Sequence, residues 1–114
     1  MSLLAMDDLL TAVVSVSTSG DTTIISDPGD GKQIAIDFIT LNPDGGAQTI
    51  GFKNCVPGGT TISFILNDNQ PLTFENAIRH PRGILTVNDS AAFVLNLSAS
   101  QSVTGFIRYR ILGQ

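Results

Sequence analysis

Short clusters of glycine, proline, asparagine and aspartate interrupt the chain at intervals of about 8 to 15 residues, a spacing too short for long helices. Helix interiors lose stability at glycine and proline, whereas tight turns use glycine for positive φ and proline for its fixed φ. The spacing therefore predicts short strands joined by turns. The clusters are TSGD (18–21), DPGDG (27–31), NPDGG (42–46), VPGG (56–59), NDNQP (67–71), HPRG (80–83) and NDS (88–90).

The segments between these turns are rich in Ile, Val, Phe and Thr and alternate apolar with polar residues, which gives a strand one buried and one solvated face. The pattern predicts an all-β fold, a single jelly-roll-like β-sandwich of about eight to nine antiparallel strands with a short N-terminal arm. The clearest segments are 33–41, 60–66, 91–99 and 103–112, and the weaker ones are 11–17, 22–26, 47–54, 72–75 and 84–87. Alternate positions predict one core formed by Ile34, Ile36, Phe38, Ile62, Phe64, Leu66, Phe93, Leu95 and Leu97.

The N-terminal arm, residues 1–10, differs from the rest of the chain, residues 11–114, which we assign to one sandwich domain. Asp7 and Asp8 interrupt its apolar run, which also lacks a basic start, so we expect no secretion signal and assembly in the cytoplasm. Because the arm is so apolar, we expect it to cap its own sandwich or to dock on a neighbouring subunit. Its candidate contact residues are Leu3, Leu4, Met6, Leu9 and Leu10.

The charge balance argues against two classes of partner. Six Lys and Arg stand against ten Asp and Glu, the formal net charge is -4, and no basic block occurs. Nucleic acids and anionic membrane surfaces are bound through clustered cations, so we expect neither as a partner. No apolar run approaches the roughly 20 residues of a membrane span.

The sequence offers no convincing set of catalytic or metal-binding residues. The single His80 lies in AIRHPRG between two arginines, and a nucleophile with a base and an orienting group cannot be assembled around it. The single Cys55 excludes an intrachain disulfide and a Cys/His zinc site, and we interpret it as a small buried hydrophobe. Asp27, Asp30 and Asp44 could suggest a calcium cage, but their places before Pro and Gly favour turns. We predict no catalytic, metal or cofactor-binding residue.

Arginine is concentrated in the last third of the chain. Arg79, Arg82, Arg108 and Arg110 are four of the six basic residues. Because arginine is enriched at protein interfaces and pairs bidentately with carboxylates, these side chains are candidate subunit contacts. Four solvated arginines remain the alternative.

The order of the strand blocks from Gln33 onward suggests a family. GKQIAIDFITL is followed by AQTIGFKN, TTISFILNDNQPLTFE, NAIRHPRGILTV and NDSAAFVLNLSASQSVTGFIRYRIL. This arrangement resembles small phage and prophage virion proteins encoded among head and tail genes. The chain departs from them in lacking Trp in PLTFENAIRHPRG. The closing segment carries most of the resemblance, at Leu95, Asn96, Leu97, Ser98, Ala99, Val103, Gly105 and Tyr109.

The resemblance implies a virion structural role without chemistry. Within the family, a head decoration or cement protein is the first expectation: a homotrimer on the phage head surface that binds the major capsid protein and is assembled in the host cytoplasm. A tail or spike component is the nearest alternative. The other function classes are a glycan-binding jelly-roll module for host adsorption and an enzyme. The small number of aromatic residues does not favour glycan binding, and the single histidine does not favour an enzyme.

Overall fold

The structure is a computed structural model that describes residues 9–56, 58–77 and 82–113. Within these ranges there are nine strands and no helix. The strands are β1 (Leu10–Val16), β2 (Gly20–Ile25), β3 (Gln33–Asp44), β4 (Gln48–Cys55), β5 (Thr60–Leu66), β6 (Leu72–Glu75), β7 (Leu85–Thr86), β8 (Phe93–Leu97) and β9 (Ser102–Leu112).

The strands form two antiparallel sheets that pack face to face. Sheet A has the order β1-β9-β3-β6, with the short β7 also paired to β3, and sheet B has the order β2-β8-β4-β5. Apart from β7, this is the strand order of a jelly roll. The predicted all-β sandwich is confirmed, and each predicted segment overlaps one observed strand. The strand boundaries shift by a few residues, most at β3, which continues to Asp44.

The core lies between the sheets and takes alternate residues from both. Of the predicted set, six residues are buried: Ile34, Ile36, Leu66, Phe93, Leu95 and Leu97. Ile62 and Phe64 are half-buried and pack against this core, because β5 is an edge strand. The described core also includes Val14, Val16, Ile25, Ile39, Leu41, Ile50, Phe52, Cys55, Val87, Val103 and Ile107.

The prediction that Phe38 belongs to the core is wrong. The register between β3 and β9 shifts between Ile36 and Phe38, so Asp37 is an extra residue with no partner on β9. Such a bulge reverses the alternation of the strand beyond it. The inward residues are therefore Ile34 and Ile36 before the bulge and Ile39 and Leu41 after it. Phe38 lies on the outer face of sheet A.

Candidate interaction face

The outer face of sheet A carries an apolar and aromatic patch with one arginine, which we call the aromatic face: Val13, Phe38, Phe106 and Arg108. Strand pairing brings these residues together, because Val13 pairs with Phe106 across β1 and β9, and Phe38 pairs with Arg108 across β3 and β9. Val13 is 77% exposed, and both phenylalanines are half-buried. The patch therefore spans three neighbouring strands, from the edge strand β1 across β9 to β3.

The two rings and the guanidinium of this face are in mutual contact. The centroids of Phe38 and Phe106 lie 5.5 Å apart with an interplanar angle of 30°. The Arg108 guanidinium carbon lies 5.6 Å from the Phe106 centroid, within the range of a cation–π contact. The ring–ring contact favours one arrangement of the pair, which presents a preformed surface rather than mobile side chains.

Gly105 allows β9 to run close to β3 beneath this face. Its φ is 155°, and a Cβ at this position would overlap the carbonyl oxygen of Thr40. Thr40 pairs with Phe106, the residue that follows the glycine. A side chain at position 105 would therefore push β9 away from β3 and move Phe106.

The Asp37 bulge is held by side chains as well as by the backbone. Arg110 donates from Nε to Asp37 Oδ2 at 2.7 Å and from Nη2 to Oδ1 at 3.1 Å, a bidentate pair. Asn76 donates from its side chain to Asp37 Oδ1 at 3.0 Å and from its backbone N–H to the Asp37 carbonyl at 2.8 Å. On its second side, β3 pairs with β7 at Ala35 and Ile36 and with β6 from Phe38 onward. The bulge therefore lies where β3 changes partner, and these bonds fix the point at which Phe38 turns outward.

The other predicted contact residues have different surroundings. Arg110 is engaged with Asp37, and Arg82 donates to Gln33 Oε1 at 2.8 Å. Leu9 is half-buried and Leu10, the first residue of β1, is 45% exposed. The remaining predicted residues, Leu3, Leu4, Met6 and Arg79, lie outside the described residues, as does His80. Their roles as contacts stay predictions.

Sequence reasoning named Arg108 as a candidate contact but did not identify Val13 or Phe38 as surface residues. The alternation around Ile107 and Ile111 puts Phe106 on the same side as Arg108, so the pattern of β9 contains that signal. The outward position of Val13 follows from the burial of Val14 and Val16, but the run Ala12-Val13-Val14 gives no clear phase. The outward position of Phe38 depends on the bulge at Asp37, which the pattern of apolar residues does not reveal.

The outer face of sheet B is polar, and its charges are matched internally. Lys53 donates to Asp21 Oδ2 at 2.8 Å, and the Asn96 side chain donates to Asp21 Oδ1 at 2.6 Å. The hydrogen bond from Lys53, followed by that from Asn96, lowers the pKa of the Asp21 carboxyl below its ordinary value. Around this cluster the face carries Thr23, Thr49, Thr61, Ser63 and the exposed Ile65.

The described residues contain few groups suited to metal binding or nucleophilic catalysis. They include no group of three or more His, Cys, Asp and Glu that could hold a metal ion. Burial raises the pKa of the Cys55 thiol to about 11, so the thiolate nucleophile is scarce at neutral pH. None of the described segments is a helix long and apolar enough to cross a membrane.

Comparison with known proteins identifies a shared fold. No protein-family model matches the chain, and no curated protein matches it significantly. Among solved structures, one from work on Bacillus endospore appendages, described as a novel family of disulfide-linked pili, is similar. Its sequence identity is 14%, the TM-score is 0.51, and the match covers 92% of this chain and 88% of that chain. At this identity the similarity shows the fold alone.

Proposed function

We propose that this chain is a non-enzymatic structural subunit of a phage particle, a decoration or cement protein that binds the major capsid protein and stabilises the head. The observation that carries the proposal is the aromatic face, where Val13, Phe38, Phe106 and Arg108 form a preformed apolar surface with one cation. Large aromatic residues and arginine are the types that contribute most at protein interfaces.

The surroundings of Arg108 suit a contact with another protein chain. Among the described residues no carboxylate forms an ion pair with it, whereas Lys53 and Arg110 each have one. A partner that supplies a carboxylate above Phe106 would pair with Arg108 while the ring excludes water from one side. The specific partner, the major capsid protein, is proposed from the resemblance of the strand blocks to virion proteins.

The chain is proposed to act as a homotrimer held together without covalent links. The similar solved structure comes from disulfide-linked pili. A polymer joined by disulfides needs at least two thiols in each subunit, because each cysteine forms one bond. This sequence has only Cys55, whose side chain is fully buried. Association of the subunits is therefore proposed to be non-covalent.

Location is tested on the virus particles produced by the genome that encodes the chain. Gold-labelled antibodies against the chain, viewed by electron microscopy, should mark the head at regular positions. Labelling confined to the tail would replace decoration by the tail or spike alternative. Particles without label, from cells in which the chain is detected by immunoblotting, would overturn the virion role.

The aromatic face is tested with a charge reversal. Arg108→Glu should weaken co-sedimentation with undecorated heads, while Lys53→Glu, which changes the net charge equally on sheet B, should leave it near the wild-type level. Both positions are solvent-accessible, so we expect both variants to fold, and circular dichroism checks this. Equal binding by Arg108→Glu and wild type would show that the aromatic face does not contact the capsid protein.

A further inference from the structure

An open groove of about 690 Å³ lies between the start of β1 and the end of β2, and we call it the β1–β2 groove. Its lining includes four half-buried side chains that pack against the core on their other side. The groove therefore leaves part of the core exposed at this edge of the sandwich. The four residues are Ala12 of β1, Ile24 of β2, and Tyr109 and Ile111 of β9.

The groove lies where the edge strand β1 is shorter than its neighbour β9. β1 begins at Leu10, which pairs with Tyr109, whereas β9 continues to Leu112 and is paired there with β3. Among the described residues, Ile111 has a strand partner in Ile34 of β3 and none on the side of β1. Apolar side chains placed beside Ile111 would cover the part of the core that β1 leaves open.

The part of the arm that lies outside the described residues, residues 1–8, is attached beside this groove. The first described residue is Leu9, which is half-buried, and the groove lining begins two residues later at Thr11. Three peptide units separate Thr11 from Asp8, so their Cα atoms are at most about 11 Å apart in any conformation. Residues 1–8 therefore begin within reach of the groove of their own chain.

The composition of residues 1–8 matches the groove. The sequence MSLLAMDD places three large apolar residues before two aspartates. The groove has the complementary composition, with apolar side chains from both sheets and the ammonium group of Lys32. The described residues provide no ion-pair partner for Lys32. Both the apolar and the charged groups of the groove would thus be matched by this segment.

The covalent connection favours the chain's own segment over that of a second copy. A segment joined to its site by a short linker has an effective concentration in the millimolar range, whereas a second copy competes only at its own concentration. Entry into the groove requires the chain to turn back before β1. A tight turn has only two central residues, and aspartate, present here as Asp7 and Asp8, is common in turns.

We propose that residues 1–8 fill the β1–β2 groove of their own chain and complete its core, with Leu3, Leu4 and Met6 against the apolar lining and an aspartate near Lys32. Of the two roles expected for the arm, this one leaves it unavailable to a neighbouring subunit. The proposal goes beyond the proposed function and does not rest on it, because it concerns contacts within one chain.

The test is cross-linking within the full chain by a short bis-maleimide. Ser2→Cys labels the arm without changing its apolar residues, and Ser26→Cys labels the groove, where Ser26 is exposed. The matched control combines Ser2→Cys with Arg108→Cys, an exposed position that does not line the groove but pairs with Thr11, so a free arm would reach it. Cys55 can stay, because its buried thiol, with a pKa of about 11, reacts slowly with maleimides. The Ser2–Ser26 link should form severalfold faster than the Ser2–Arg108 link, at the mass of one chain.

Two outcomes of the cross-linking would overturn the proposal. Equal rates for the two double variants, or no link in either, would mean that the arm does not occupy the groove. A mixture of the single variants Ser2→Cys and Ser26→Cys should give no product of twice the chain mass, and such a product would mean that a second copy fills the groove. Particle labelling and the Arg108→Glu variant test the proposed function separately from this contact.

Thermal unfolding tests whether the apolar residues of the arm are buried. The double variant Leu4→Ser/Met6→Ser should lower the Tm by about 4 °C or more, because two side chains lose buried contacts. The control Ile65→Ser makes the same kind of change at a side chain that is already 71% exposed and should lower the Tm much less. If the arm variant lowered the Tm no more than this control, the result would contradict packing of these side chains in the groove.

Discussion

The outer faces of the two sheets differ in the groups that they present to solvent. On sheet B, Asp21, Lys53 and Asn96 satisfy one another, and threonine and serine fill most of the rest. On sheet A, the paired charges Asp37 and Arg110 lie to one side, and the centre is left to two phenylalanines and Arg108. A face that satisfies its own polar groups gains little from a partner, whereas an exposed aromatic pair gains from being covered.

The difference arises from one extra residue in β3. Without the bulge at Asp37, Phe38 would point into the core, and Phe106 would be the one phenylalanine left on the described outer face of sheet A. Bulges commonly re-aim a side chain, and this one is stabilised by four described hydrogen bonds to Asp37, two from Arg110 and two from Asn76, rather than by local sequence. The distinction between the faces therefore depends on tertiary contacts.

The largest expected effect comes from truncating a residue of the core, which lies between the two sheets. Leu95→Ala should lower the free energy of unfolding by about 2 to 5 kcal/mol, because Leu95 is completely buried and its truncation leaves a cavity. Val94→Ala, one position away on the outer face of sheet B, should cost much less. Urea unfolding of both variants measures the difference, and similar losses would contradict the assignment of faces in β8.

The next effect concerns the bulge. Asp37→Ala removes the two carboxylate oxygens that accept from Arg110, one of which also accepts from Asn76, so we expect a loss of about 1 to 3 kcal/mol from these partly buried groups. The Asp21→Asn change on sheet B should have a clearly smaller effect, because that ion pair is more exposed. Thermal or urea unfolding tests the order. The comparison of the faces would fail if Asp21→Asn were the more damaging change.

A matched pair of surface substitutions tests which face associates. Val13 and Ile65 are both on edge strands and are 77% and 71% exposed, but they belong to opposite sheets. Val13→Ser should weaken self-association or capsid binding severalfold, and Ile65→Ser should not. Sedimentation velocity over a range of concentrations gives both values. Equal weakening would show that the aromatic face has no special part in association.

The smallest effect is a pH dependence on sheet B. Since the pKa of Asp21 is held below its ordinary value of 3.8, its ionised form stabilises the folded chain above that pH. This contribution is lost as the pH falls below about 3.8 and through the lowered pKa of the folded state. The difference in stability between wild type and Asp21→Asn should thus be constant near neutrality and shrink in acid. If the difference stayed constant down to the lowest pH that permits folding, the result would contradict the coupling between Asp21 and Lys53.

The sequence predicted the strands well because alternation and turn residues are local signals. It did not predict the bulge, since QIAIDFITL has large apolar residues at 34, 36, 38, 39 and 41 and fits two phases. The choice between them depends on Arg110 and Asn76, which are 73 and 39 positions away from Asp37 in the chain. The aromatic face was missed for the same reason, because it needs three strands from distant parts of the sequence in register.

The order of strands in sheet A has a consequence for biosynthesis. β1 and β3 both pair with β9, and β9 follows all the other described strands in the chain, so β1 and β3 are synthesised before their shared partner. Before β9 emerges, neither β1 nor the β9-facing edge of β3 has its partner, and sheet A cannot close over the core. Closure of sheet A therefore waits until β9 is available, and such long-range closure is slow compared with the formation of hairpins. Chains truncated before β9 should be protease-sensitive, because sheet A cannot form over the core without it.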